Sequence, residues 1–252
     1  MRQFQKSRLL QLTQVNKEKE TMKTVIIHGQ SHQGSTYHAA HSLAEKIGGE
    51  LTEFFLPRDF GEFCLGCLNC FRISETKCPH YARLKPLTEA MDAADVIILE
   101  SPVYVYHATG AMKAFLDHYG WRWMVHSPEP LMFRKQAVAV ATAAGAGMKS
   151  TIKDMADSFF FWGIAKQYRL GVAVAAVSWE TVNEKKKAVI EKKTAALAKK
   201  IVRRNGRVKP GLKTRAFFSL MRMLQKKNFM GGERDVSHWK KHGWLGKSRP
   251  WK

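Results

Sequence analysis

Ala94-Asp95-Val96-Ile97-Ile98-Leu99-Glu100-Ser101-Pro102-Val103-Tyr104 is the segment from which the architecture of this chain follows. Residues 96–99 are continuously apolar, and Ser101-Pro102 ends the strand after Glu100. A strand without polar alternation is buried on both faces, as in a parallel sheet covered by helices. Working outward, 24–29, 51–56, 95–100, 136–141 and 170–177 all read as strands. Between them, 35–47, 81–93, 109–119, 149–161 and 181–204 read as helices. Ala39, Ala40, Leu43, Ala44 and Ile47 set the spacing in the first, and Leu84, Leu87, Ala90 and Met91 in the second. Five alternations of strand and helix predict one α/β domain with helices on both faces.

The 252 residues are 45% hydrophobic and 25% charged, a globular balance. The sequence divides into a polar lead (1–22, with Met22 as an alternative start), a domain (23–205) with a cysteine-rich insertion at 61–80, and a basic, aromatic extension (206–252). The lead reads as disordered. The extension, opened by a Gly/Pro linker at 206–211, is expected to wrap the domain or a neighbouring subunit. No apolar run approaches the ~18–20 residues of a membrane span, and the N-terminus lacks a secretory pattern. The expectation is a cytoplasmic protein. The net charge is +21. Residues 181–205 contribute +7 and 206–252 contribute +11, leaving +3 for the rest. Such a field attracts acidic proteins, nucleic acid or anionic lipid, or is simply a solvated basic face.

Ligands of an open parallel sheet bind beyond the C-terminal strand ends, at the switch point in strand order. Three loops are expected there. Ser31, Gln33, Gly34, Ser35 and Thr36 lead from the first strand into a helix, whose free N–H groups suit a phosphate; the alternative is a plain turn capped by Ser35. The dinucleotide pattern G-x-G-x-x-G is absent. Pro102, Val103, Tyr104, Val105, Tyr106, His107 and Gly110 supply an aromatic wall, or else cap the core. Ala143, Ala144, Gly145 and Gly147 leave backbone groups free to approach a flat ring, or form a flexible turn. Together they describe an FMN pocket.

All four cysteines, Cys64, Cys67, Cys70 and Cys78, fall within fifteen residues as C-x2-C-x2-C-x7-C. Three closely spaced thiolates suit one face of a cubane, whereas zinc usually takes two separated pairs. The expectation is a [4Fe–4S] cluster, with zinc and free thiols as alternatives. His28 and His107 read as structural histidines, and the seven tryptophans as packing residues.

Residues 94–104 with 109–117 resemble the NADPH-dependent FMN reductase branch of the flavodoxin-like superfamily, which shows A-D-x-I-I-x-x-S-P-V-Y and then S/T-G-x-M-K-x-F-L-D. The resemblance covers about 24–180. It implies a doubly wound five-stranded parallel sheet of order 2-1-3-4-5, bound FMN, NAD(P)H as donor and a homo-oligomer. The cysteine spacing, with Gly66, is similar to the compact motif of iron–sulfur flavoproteins. Departures are Gln30 and His32 in the G-S-x-R loop, His118 where an Arg is common, and Pro79-His80-Tyr81 where many relatives have Asp-Asp. The expected function is electron transfer between an acidic, ferredoxin-like carrier or NAD(P)H and an acceptor. A simple NAD(P)H:FMN or quinone reductase, and a flavin-free nucleic-acid-binding module, are the alternatives, the last being the least favoured.

Overall fold

The structure is a computed structural model that describes residues 21–228 and 232–252. Most of the expected polar lead lies outside the described residues, although Met22 is buried and its carbonyl accepts from the Glu50 N–H at 2.9 Å. Five parallel strands form one sheet in the order β2-β1-β3-β4-β5. They are β1 (Lys23–His28), β2 (Glu50–Phe55), β3 (Val96–Glu100), β4 (Gln136–Ala143) and β5 (Lys166–Ala173). The expected flavodoxin-like order is therefore observed.

Alternate residues of each central strand serve the two faces. On one face Val25, Ile27, Ile97, Leu99, Ala137 and Ala139 pack beneath α3 (Tyr81–Ala93), α4 (Gly110–Asp117) and α5 (Met148–Phe161). On the other, Ile26, Val96, Ile98, Val138 and Val140 pack beneath α1 (Ser35–Ile47) and α6 (Glu184–Arg204). Both faces are covered, which is why the strands carry no polar alternation. Thr109 caps α4 by accepting from the Met112 N–H at 3.1 Å, and Asn183 caps α6 by accepting from the Lys186 N–H at 2.9 Å.

The fifth strand starts four residues earlier than its apolar pattern indicated. Lys166, Gln167 and Arg169 belong to it because it is the sheet edge, paired only to β4 in the register Gln136↔Lys166. Polar side chains are tolerated at an edge. Backbone bonding continues to Ala175, whose φ of 54° turns the chain away.

The insertion holds two short elements, α2 (Asn69–Arg72) and a 3₁₀ turn at Glu75–Lys77. The extension forms α7 (Leu212–Lys226) and α8 (Glu233–Lys241) and folds against the domain. Phe218, Met221, Trp239 and Trp244 close a third core with Met124 and Phe133. These tryptophans are packing residues, as expected. Among the described residues, no helix is long and apolar enough to cross a membrane.

Candidate flavin site and cysteine cluster

The C-terminal strand ends are drawn together by backbone bonding across the switch between β1 and β3. The Gly29 N–H donates to the Glu100 carbonyl at 2.7 Å, and the Thr109 hydroxyl donates to the Gly29 carbonyl at 2.6 Å. A Cβ at Gly29 would lie 2.8 Å from the Glu100 carbonyl oxygen, so the close approach needs glycine. On the other side, the Val103 N–H donates to the Thr142 carbonyl at 3.1 Å. The result is a cleft of about 290 Å³, near the lower end of the ~300–1,000 Å³ usual for small-molecule sites.

One wall of this cleft is the start of α1. Gly34 occupies the N-cap position and offers no side chain, while Ser35 is already the first helical residue. Among the described residues, the first-turn N–H groups of α1 thus have no N-cap side chain, and that turn contains no carboxylate. This is the arrangement that binds anions. The Thr36 and Thr142 hydroxyls meet at 2.6 Å in the floor.

Pro102, Val103 and Tyr104 form the opposite wall, and Ala143 and Ala144 the third side. Tyr104 and Gln30 hydrogen-bond to each other. Tyr104 and His107 exchange backbone bonds of 3.0 and 2.9 Å, closing a tight turn with Val105 and Tyr106 at φ 48° and 66°. Positive φ at a β-branched residue is strained and is retained only where neighbours fix it. The fixing groups here are Asp154, which accepts from the Ala108 N–H at 3.1 Å and pairs with His107 at 3.1 Å, and Ser150, which donates to the Tyr106 carbonyl. Gly147, at φ 93°, passes directly behind this turn.

Of the expected flavin residues, Gly34, Ser35, Thr36, Pro102, Val103, Tyr104, Ala143 and Ala144 line the cleft. Ser31 instead donates to the Leu56 carbonyl at 3.1 Å, and Gln33 is exposed. Val105, Tyr106, His107 and Gly147 build the turn behind the wall, Gly110 begins α4, and Gly145 is exposed. Sequence reasoning did not single out Tyr37, Glu100 or Val174 as lining residues. A carboxylate in an otherwise apolar strand was the available signal for Glu100.

Glu100 is the least conventional part of the floor. His28 Nδ1 lies 2.9 Å from Glu100 Oε1, and His28 Nε2 lies 3.0 Å from Glu53 Oε1. A neutral imidazole donates from one nitrogen only, so one carboxyl then carries a proton; a charged imidazolium donates to both. Burial raises the Glu100 carboxyl above its ordinary range, opposed by the His28 hydrogen bond. Among the described residues its buried Oε2 has no hydrogen-bond partner. An unpartnered buried oxygen costs about 1–3 kcal/mol, and a ligand hydroxyl would satisfy it. The uncapped helix, the hydroxyl pair and this oxygen fit a phosphate-bearing polyol such as FMN.

The cysteine segment lies on the surface. Cys64 and Cys67 are exposed, Cys70 and Cys78 partly buried, and all four are free thiols. Burial pushes the Cys70 thiol up to about 11, with further contributions from Cys78, Cys64 and Cys67. Cys70 thus lies near enough to the other three thiols, and Cys78 near enough to Cys64 and Cys67, for their charge to raise each further. A metal cluster would neutralise that repulsion, so the donor set fits one. Phe63, Leu65, Leu68 and Ile73 are exposed around it.

The model of the NADPH-dependent FMN reductase family matches residues 22–181. The chain belongs to that family. It is also similar to an iron-sulfur flavoprotein of Archaeoglobus fulgidus, 25% identical over 138 residues, covering 54% of this chain and 60% of that protein. An iron-sulfur flavoprotein of Clostridioides difficile is 33% identical over 98 residues, covering 37% and 40%. The chain therefore spans only part of the length of these relatives. Among solved structures, an azoreductase superposes with a TM-score of 0.54 at 11% identity, over 71% of this chain and 99% of that one. A flavone reductase gives 0.52 at 16% identity, over 71% and 63%. At such identities these two show the shared fold alone.

Proposed function

We propose that the chain is an FMN-dependent oxidoreductase that also holds one [4Fe–4S] cluster and moves electrons between NAD(P)H or a small acidic carrier and an acceptor. The observation that carries this is the convergence of the uncapped α1 start, the Pro102–Tyr104 wall and the 142–144 loop on one cleft at the switch point. The N–H groups of Ser35 and Thr36 would receive the phosphate. Pro102, Val103, Tyr104, Ala143 and Ala144 would exclude water from the ring faces. FMN, when bound, supplies both two-electron and one-electron chemistry. Cys64, Cys67, Cys70 and Cys78 would hold the cluster, whose chemistry is one-electron transfer.

The positive field of α6 and the extension supports an acidic carrier as partner, because complementary charge raises encounter rates. The apolar side chains around Cys64 and Cys67 support coverage of this loop by a second copy of the chain. The test is the visible spectrum of protein purified without oxygen, before and after dithionite. Flavin bands on a broad absorbance that bleaches support the reading. Flavin bands alone remove the cluster and leave a simple reductase. Colourless protein that FMN does not restore refutes both.

A further inference from the structure

The C-terminal extension begins beyond the residues that match the family, yet it reaches back to the cysteine segment. Arg234, in the first turn of α8, donates from Nη1 to the Cys70 carbonyl and from Nη2 to Glu75 Oε2 at 2.5 Å. Its guanidinium also lies over the Trp121 ring, 5.9 Å from the centroid. A planar fork that joins a carbonyl, a carboxylate and an indole in one geometry fixes a loop more firmly than a single charge can.

Helix α8 is itself held to the domain. Asp235 accepts from the Ser127 hydroxyl at 3.0 Å and pairs with His126 at 2.8 Å. Trp239 Nε1 donates to the His126 carbonyl at 2.7 Å, and His238 Nε2 lies 3.0 Å from the Pro128 carbonyl. Between α8 and the cysteine loop, by contrast, lies an open cleft of about 590 Å³ lined by Leu68, Phe71, Arg72, His126 and the start of α8. Arg234 crosses at the edge of this cleft. The loop there is tethered by this polar clamp and by Phe71, whose ring meets the His126 ring edge-on at 4.7 Å.

We infer that the extension is a positioning element for the cysteine site, with Arg234 as the positioning residue that fixes Cys70 and places a guanidinium–carboxylate pair, Arg234–Glu75, beside the cluster. The inference rests on the cluster proposed above. It also has a charge consequence. Removing Arg234 leaves Glu75 as an unpaired negative charge near a site that gains negative charge on reduction. Removing the Glu75 charge leaves the guanidinium unpaired. The two single changes therefore move the reduction potential in opposite directions.

The experiment uses the full chain as purified without oxygen, with Arg234→Gln, Arg234→Lys, Glu75→Gln and the Arg234→Gln/Glu75→Gln pair. The reduction potential of the broad absorbance should become more negative in Arg234→Gln, more positive in Glu75→Gln, and return towards wild type in the double variant. Its loss under a chelator should be about tenfold faster in Arg234→Gln, the scale of a charge-assisted hydrogen bond, with partial rescue by lysine. Potentials that shift in one direction in both single variants, or not at all, overturn the charge role.

Alkylation of Cys70 by iodoacetamide in metal-free protein, followed by mass spectrometry, tests the clamp separately. Faster reaction in Arg234→Gln, with tryptophan fluorescence showing α8 still docked, supports it. Equal rates overturn it. If the wild type binds no cluster, the proposed function fails on its own while this measurement still decides the clamp.

Discussion

Gly147→Ala is the substitution that most directly tests how the flavin cleft is built. Gly147 has φ of 93°, which an L residue adopts at a cost of about 1–3 kcal/mol. A Cβ there would lie 2.5 Å from Val103 Cγ1 and 3.2 Å from the Tyr106 Cα. The valine tip can rotate, but the Tyr106 backbone is held by Ser150 and by the Tyr104–His107 bridge. Overpacking against a fixed neighbour adds about 1–3 kcal/mol. The combined cost is about 2–4 kcal/mol after partial relaxation. If the 103–107 wall shifts to relieve the clash, that cost is expressed in FMN affinity as roughly a 30- to 700-fold loss. If the wall holds, it is expressed as lower stability. Quenching of FMN fluorescence gives the first, and the urea midpoint of flavin-free protein the second. Gly145→Ala is the control: its Cβ meets nothing within 4 Å, so its effect should stay within about 0.5 kcal/mol. Wild-type affinity together with wild-type stability in Gly147→Ala would refute the argument that this glycine shapes the wall.

Three further outcomes are expected. Glu100→Gln should flatten the pH dependence of stability in flavin-free protein. The wild-type carboxyl titrates above its ordinary 4.5, so the folded state binds the proton more tightly and stability falls as pH rises from about 4.5 towards the raised value; identical urea-midpoint profiles for the two proteins would show that Glu100 does not set that slope. Asp92→Ala should lower stability by about 3–5 kcal/mol, because Arg122 is 1% exposed and held by two bonds of 2.7 and 3.0 Å to that carboxylate. Urea unfolding measures this, and the Asp92→Ala/Arg122→Met pair should recover much of the loss. Trp239→Ala removes a fully buried indole stacked on Phe218 at 4.7 Å, worth about 3–5 kcal/mol; limited proteolysis should cut residues 206–252 far sooner while the flavin domain stays folded, and an unchanged cleavage pattern would show that the extension is held by other contacts.

The sequence by itself determined the sheet, its covering helices and the three loops at the C-terminal strand ends. Apolar runs and helical spacing report burial, and burial is a local property of each element. It also placed the four cysteines together, because they are neighbours in the chain. The strand order came from resemblance, and the start of β5 was hidden because an edge strand accepts Lys166, Gln167 and Arg169. Only the tertiary structure decided which polar groups complete one another. His28 meets Glu100 across 72 residues and Glu53 across 25 because β1 pairs with β3 on one side and β2 on the other. Thr36 meets Thr142 across 106 residues, and Arg234 reaches the cysteine loop across 164. Such pairings depend on strand register and on how helices dock, and neither leaves a periodic trace in the residues involved.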